Sequence, residues 1–152
     1  MEKIDSFKII GIVTETSNEN GKASEDLGKL WQKFYSENIP DKIPHKIGNE
    51  IYSIYTDYKT NHTGNYTCII GFKVDSIEEI PEGLVGKEIG SGNYHKYIAK
   101  GEMPDAVVNA WKEIWKNNAD LNRTFTADFE VYGDKSQNGG NSEVEIFIAT
   151  DN

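Results

Sequence analysis

The sequence predicts an α+β domain in which a β-α-β-β unit occurs twice, in halves spanning about residues 7–74 and 94–150. Three observations carry this. Each half ends in a strand, a polar loop and a second strand: IYSIYTDY and YTCIIGFKV in the first, FTADFEVY and EVEIFIAT in the second. Each half also has one amphipathic helix, and 152 residues suit one domain with its own core. One helix per half can cover one face of a mainly antiparallel sheet. Two helices are thus expected on one face, with a ligand cleft on the other, between halves related by a pseudo-two-fold axis.

The elements follow in order. Phe7 to Val13 is a short apolar run and reads as a buried strand. After a polar loop, Ala23 to Glu37 carries Leu27, Leu30, Trp31, Phe34 and Tyr35 at helical spacing, with Ser24 as the expected N-cap. Ile39-Pro40 is expected to end that helix, because the residue before proline disfavours the α region. Ile51–Tyr58 and Tyr66–Val74 read as a hairpin around a polar turn at residues 59–65. Tyr94–Ala99 is the next strand. Met103-Pro104-Asp105 then opens a helix to about Asn118, with Val107, Val108, Trp111, Ile114 and Trp115 on one side. Phe125–Tyr132 and Glu143–Thr150 are the last two strands, and the Gly/Ser/Asn-rich stretch between them reads as a flexible hairpin loop.

Charge and composition narrow the function. Lys and Arg number 16 against 25 Asp and Glu, a net charge of −9, which argues against binding to a phosphate backbone. Mean hydropathy is −0.61 with no run of spanning length, so no membrane association is expected. The start, Met1-Glu2-Lys3-Ile4-Asp5, lacks the pattern of a secretory signal, and a cytoplasmic location follows as the expectation. A single cysteine, Cys68, excludes an internal disulfide and reads as core. His45, His62 and His95 lack metal-ligand spacing, and the glycine-rich segments lack the ending of a P-loop, so neither metal nor cofactor is expected. Three N-x-T sequons, including Asn61-His62-Thr63, read as chance matches.

Alternation then sorts candidate site residues. Val144, Ile146 and Ile148 form an aliphatic face, which leaves Glu145 and Phe147 opposite. Ala127, Phe129 and Val131 are apolar, which leaves Glu130 and Tyr132 opposite. Placed on one surface, Glu130, Tyr132, Glu145 and Phe147 combine acids with aromatic rings, a pattern suited to an organic cation. Glu145, mid-strand between apolar neighbours, is the first candidate for burial. Tyr55 and Tyr97 are the first tyrosines expected in the cleft, while Trp31, Phe34, Trp111 and Trp115 read more simply as core. Paired glutamates could also do acid–base work, which keeps a hydrolase as an alternative, and a protein-interaction module as another.

In its joint order of YTDY, YTCIIGFKV, the W-x-x-I-W helix, DFEVY and the tail E-x-E-I-F-I, the chain resembles the GyrI-like effector-binding domain from about Lys8 to Thr150. That domain closes AraC-type and MerR-type bacterial transcription regulators and also occurs free-standing. The resemblance implies a pseudo-symmetric fold that binds bulky, often cationic, aromatic compounds, anchored by a buried glutamate among tyrosines and tryptophans. On this sequence the anchor corresponds to Glu145, with Glu130 as second acid and Phe147 and Tyr132 as wall residues. Ala149 stands where the family often has proline, and the two halves leave no length for a DNA-binding domain. A stand-alone regulatory module is therefore expected, with a protein partner possible. Some relatives of the fold are hydrolases.

Overall fold

In the computed structural model, residues 2–59 and 64–151 are described; residues 60–63 of the expected turn, with His62 and its sequon, lie outside them. The chain runs β1 (Glu2–Ile4), β2 (Phe7–Ser17), α1 (Lys22–Ser36), α2 (Ile39–Lys42), β3 (Lys46–Thr56), β4 (Asn65–Val74), β5 (Val85–Ile89), β6 (Gly92–Lys100), α3 (Asp105–Lys116), α4 (Asn118–Leu121), β7 (Ala127–Tyr132) and β8 (Glu143–Thr150). The eight strands form one sheet in the order β1-β6-β8-β7-β3-β4-β2-β5, each neighbouring pair antiparallel. The duplication is plain in that order: β3-β4-β2 and β7-β8-β6 run outward from a central β7–β3 pair.

Each half has a leader strand that the sequence reading missed. β1 precedes β2 but pairs with β6, and β5 precedes β6 but pairs with β2. Ile4 thus sits opposite Gly92, and Phe7, three residues on, sits opposite Ile89. Three Cα steps span at most about 11 Å, whereas six strand spacings in a flat sheet would separate β1 from β2 by about 29 Å. The sheet must therefore curl strongly, and each leader strand fastens one half to the other. The inner side of the curl needs no helix. Phe7, Ile9, Ile54, Ile69, Phe129 and Phe147 bury one another there.

The outer face carries the helices. On α1, Leu30 and Phe34 pack with Ile10, Ile12, Ile70 and Phe72; on α3, Val107 and Ile114 pack with Val144, Ile146 and Ile148. Asp105 in the first turn and Lys116 in the last turn of α3 both complement its dipole. At the start of α1 the cap position is Gly21, in the left-handed region at φ 73°, so Ser24 lies inside the helix and does not cap it. Pro40 does not stop helical structure; it sits in the first turn of α2, where its missing N–H costs nothing. The loop between β7 and β8 holds two 3₁₀ turns, at Asp134–Ser136 and Gly139–Asn141, tied by Ser142 Oγ donating to the Gly139 carbonyl at 2.8 Å.

Candidate functional site

The cleft lies on the helix face, not on the helix-free side where the sequence pattern placed it. A cavity of about 950 Å³ opens between α1 and α3 above the central strands. Side chains of the inner face largely bury one another, so the larger open space lies where the two helices diverge.

Its floor holds Glu130, 2% exposed on β7. Three donors reach this carboxylate: Trp111 Nε1–H at 2.6 Å and the Tyr55 hydroxyl at 3.0 Å donate to Oε2, and the Tyr132 hydroxyl donates to Oε1 at 2.5 Å. Burial raises the Glu130 carboxyl above its ordinary value, an effect opposed by the hydrogen bonds from Tyr132, Trp111 and Tyr55. Burial first, then the neighbouring Glu130 charge, pushes the Tyr55 and Tyr132 hydroxyls well above the usual range, so both remain neutral donors.

The walls repeat the two-fold symmetry. Tyr55 of the first half meets Trp111 of the second edge-on, centroids 5.5 Å apart at 85°. Tyr132 of the second half meets Trp31 of the first at 5.1 Å and 73°. Ser53 pairs directly across from Glu130 and occupies the equivalent place in the other half. The aromatic walls are therefore duplicated, but the charge is supplied by one half only. At one end of the cavity Arg123 Nη2 contacts Asp128 Oδ2 at 2.7 Å, both side chains essentially buried. The same carboxylate accepts from the Tyr58 hydroxyl at 2.6 Å and the Ala149 N–H at 2.8 Å.

The register separates the expected residues. Opposite residues of β7 and β8 share a face, and the pairs are Phe129–Phe147, Glu130–Ile146 and Val131–Glu145. Glu130 and Tyr132 thus face the helices, while Glu145 and Phe147 lie on the inner face. This corrects the expected single surface. The error has a physical cause: both faces of the sheet are buried, so the apolar set of one strand need not share a face with that of its neighbour. Nor is Glu145 buried: its side chain is 42% exposed and its Oε2 contacts Lys96 Nζ at 2.6 Å. A paired-glutamate site is ruled out by the same register, because the sheet separates Glu130 from Glu145. Tyr55 and Tyr132 line the cavity; Tyr97 packs with the aliphatic cluster under α3 and does not line it.

Of the aromatics read as core, Phe34 is core, whereas Trp31, Trp111 and Trp115 line the cavity. The stripe on α1 holds two rows, Leu30–Phe34 toward the sheet and Leu27–Trp31–Tyr35 toward the cavity. That extra width was the available signal. Arg123, in a single β-bridge to Thr150 between α4 and β7, gave none. Among the described residues no group of three His, Cys, Asp or Glu is placed to hold a metal ion.

The profile of an integron-associated effector-binding protein family, Cass2, matches residues 1–150. The chain belongs to this family. The integron cassette protein VCH_CASS2, from the mobile metagenome of Vibrio cholerae, is 32% identical, with TM-score 0.78 over 99% of this chain and 94% of that one. YobU of Bacillus subtilis (strain 168), whose name classes it with transcriptional regulators, is 24% identical over 149 residues, 96% of this chain and 93% of its own length. The structure of SAV2435 bound to tetraphenylphosphonium shares the fold at TM-score 0.83 and 19% identity, covering 99% of this chain and 92% of that one. The resemblance drawn from the sequence holds: this is an effector-binding domain of GyrI-like fold, α+β with a curled, mainly antiparallel sheet. No helix among the described residues is long and apolar enough to cross a membrane.

Proposed function

We propose that this Cass2-family chain binds a bulky amphipathic organic cation in the cavity between α1 and α3, with Glu130 as its anchor, as a cytoplasmic effector-binding or regulatory module. The observation that carries the reading is the Glu130 carboxylate, buried on the cavity floor with neutral donors only among its described hydrogen bonds. An ionised carboxylate without a cationic partner costs several kcal/mol in such a place. A ligand cation offsets that cost, and each well-placed ring of Tyr55, Trp111, Tyr132 or Trp31 adds about 0.5–2 kcal/mol of cation–π attraction. A volume of about 950 Å³ suits a multi-ring ligand. Tetraphenylphosphonium, the ligand named for the structural relative SAV2435, is a cation of this kind, which further supports the reading.

The test is a tryptophan-fluorescence titration with tetraphenylphosphonium. Trp31, Trp111 and Trp115 all line the cavity, so saturable quenching is expected. Glu130→Gln keeps the shape and weakens binding at least about tenfold, about 1.4 kcal/mol. Glu145→Gln, on the other face, leaves it unchanged. Equal affinity in wild type and Glu130→Gln would remove the anchor from this reading.

A further inference from the structure

Glu145 and Phe147, left outside the main cavity, belong to a smaller one. A cavity of about 230 Å³ opens on the inner face of the sheet, where β3, β7 and β8 meet the ends of β1 and β2. Its apolar side is a cluster of rings. Phe129 and Phe147 are stacked at 4.9 Å, Phe7 meets Phe129 edge-on at 5.3 Å, and Tyr52 lies 5.6 Å from Phe7. Its rim is charged: Glu50 and Glu145 stand with Lys73, whose Nζ lies 5.4 Å from the Phe7 centroid.

We propose that this cavity is a second ligand site, which takes a single aromatic ring bearing an ammonium tail. Size sets the ring count. An apolar cavity of about 150 Å³ accepts one benzene, so about 230 Å³ has room for one ring and a short tail. The rings of Phe7, Phe129 and Phe147 offer edges and faces for that guest. Charge sets the tail. Of the two rim acids, Glu145 is paired with Lys96, while Glu50 makes none of the ion pairs among the described residues. Burial first, and then the Glu50 and Glu145 charges, raise the Tyr52 hydroxyl. Both carboxylates therefore project their field onto the same mouth, and an ammonium tail leaving the ring cluster meets them there. Strand alternation makes the site separate: Phe129 and Val131 face this cavity, while Glu130 and Tyr132 face the other.

The experiment follows ¹H–¹³C aromatic and methyl spectra of the full chain during titration with 2-phenylethylamine, with 2-phenylethanol as the neutral control. Saturable shifts are expected at Phe129, Phe147 and Val131, with 2-phenylethanol weaker by at least about fivefold. The surface double variant Glu50→Gln/Glu145→Gln should weaken the amine about tenfold and leave tetraphenylphosphonium binding unchanged. Glu130→Gln should leave the amine unaffected. Shifts confined to Trp111, Tyr55 and Tyr132, loss of amine binding in Glu130→Gln, or equal affinity for amine and alcohol would each overturn the assignment, as would no saturable shift at all.

Discussion

At the scale of single residues, the buried Glu130 carboxylate ties both folding and cation binding to pH. The folded chain holds the Glu130 proton to a higher pH than the unfolded chain does, because burial raises its carboxyl. Below the unfolded value of about 4.3 both states are protonated and the neutral form's contribution to stability is fully present. As pH rises through the folded value, that contribution is lost, because the buried group must then carry charge. Cation binding has the opposite dependence, since it needs the carboxylate. Tetraphenylphosphonium affinity is thus expected to rise with pH across the folded Glu130 transition and then level off. Binding from below that transition should release a proton, seen as a calorimetric enthalpy that changes with the buffer's ionisation enthalpy. In Glu130→Gln both dependences vanish. A wild-type affinity flat from about pH 4.5 to 8 would count against Glu130 as the titrating anchor. The two tyrosine donors do not share this range, since both hydroxyls lie well above their ordinary values.

At the scale of elements, the curl of the sheet depends on a point where no side chain fits. Gly11 of β2 and Gly71 of β4 pair directly, and a Cβ on either would stand 2.1 Å from a carbonyl oxygen on the opposing strand, Ile70 O or Ile10 O. The obstruction is backbone, which cannot rotate away. Gly71→Ala is expected to cost at least about 2 kcal/mol, within the upper range for overpacking, lowering Tm by about 4–8 °C for a domain of this size. Gly28 gives the opposite sign. It sits inside α1 with nothing within 4 Å of a built Cβ, so Gly28→Ala should raise stability by about 0.5–1 kcal/mol. Thermal unfolding of both variants checks the pair, and Gly71→Ala unfolding with the parent would refute the curl argument. Periodicity made such elements legible: the expected β8 matches its observed bounds, Glu143–Thr150. It could not show how far a strand is bent, since nothing in FKIIGIV or YTCIIGFKV says that two glycines face each other.

At the scale of the whole molecule, the sequence revealed the duplication but not the fastening between its halves. β1 has three residues and β5 five, too short for a pattern, and each pairs with the half it does not precede. The same limit hid the cleft: alternation sorts side chains into two sets, but only the strand register says which sets share a face. What the sequence did fix at this scale is the net charge of −9, and its effect can be separated from that of Glu130. Most of the acids are exposed and act on a cation at a distance, so they accelerate encounter and are screened by salt, with a Debye length of about 10 Å at 0.1 M and about 3 Å at 1 M. Glu130 acts only after the cation has reached the buried floor of the cavity, where salt screens far less. Raising ionic strength from about 0.05 to 0.5 M should therefore slow tetraphenylphosphonium association several-fold while changing its dissociation rate little. Glu130→Gln should show the reverse: faster dissociation, with the salt dependence of association preserved. Stopped-flow fluorescence at two salt concentrations measures both rates in both proteins. A salt effect of equal size on dissociation would mean that the bound cation is still exposed to solvent, and the anchor would then have to be sought among the surface acids.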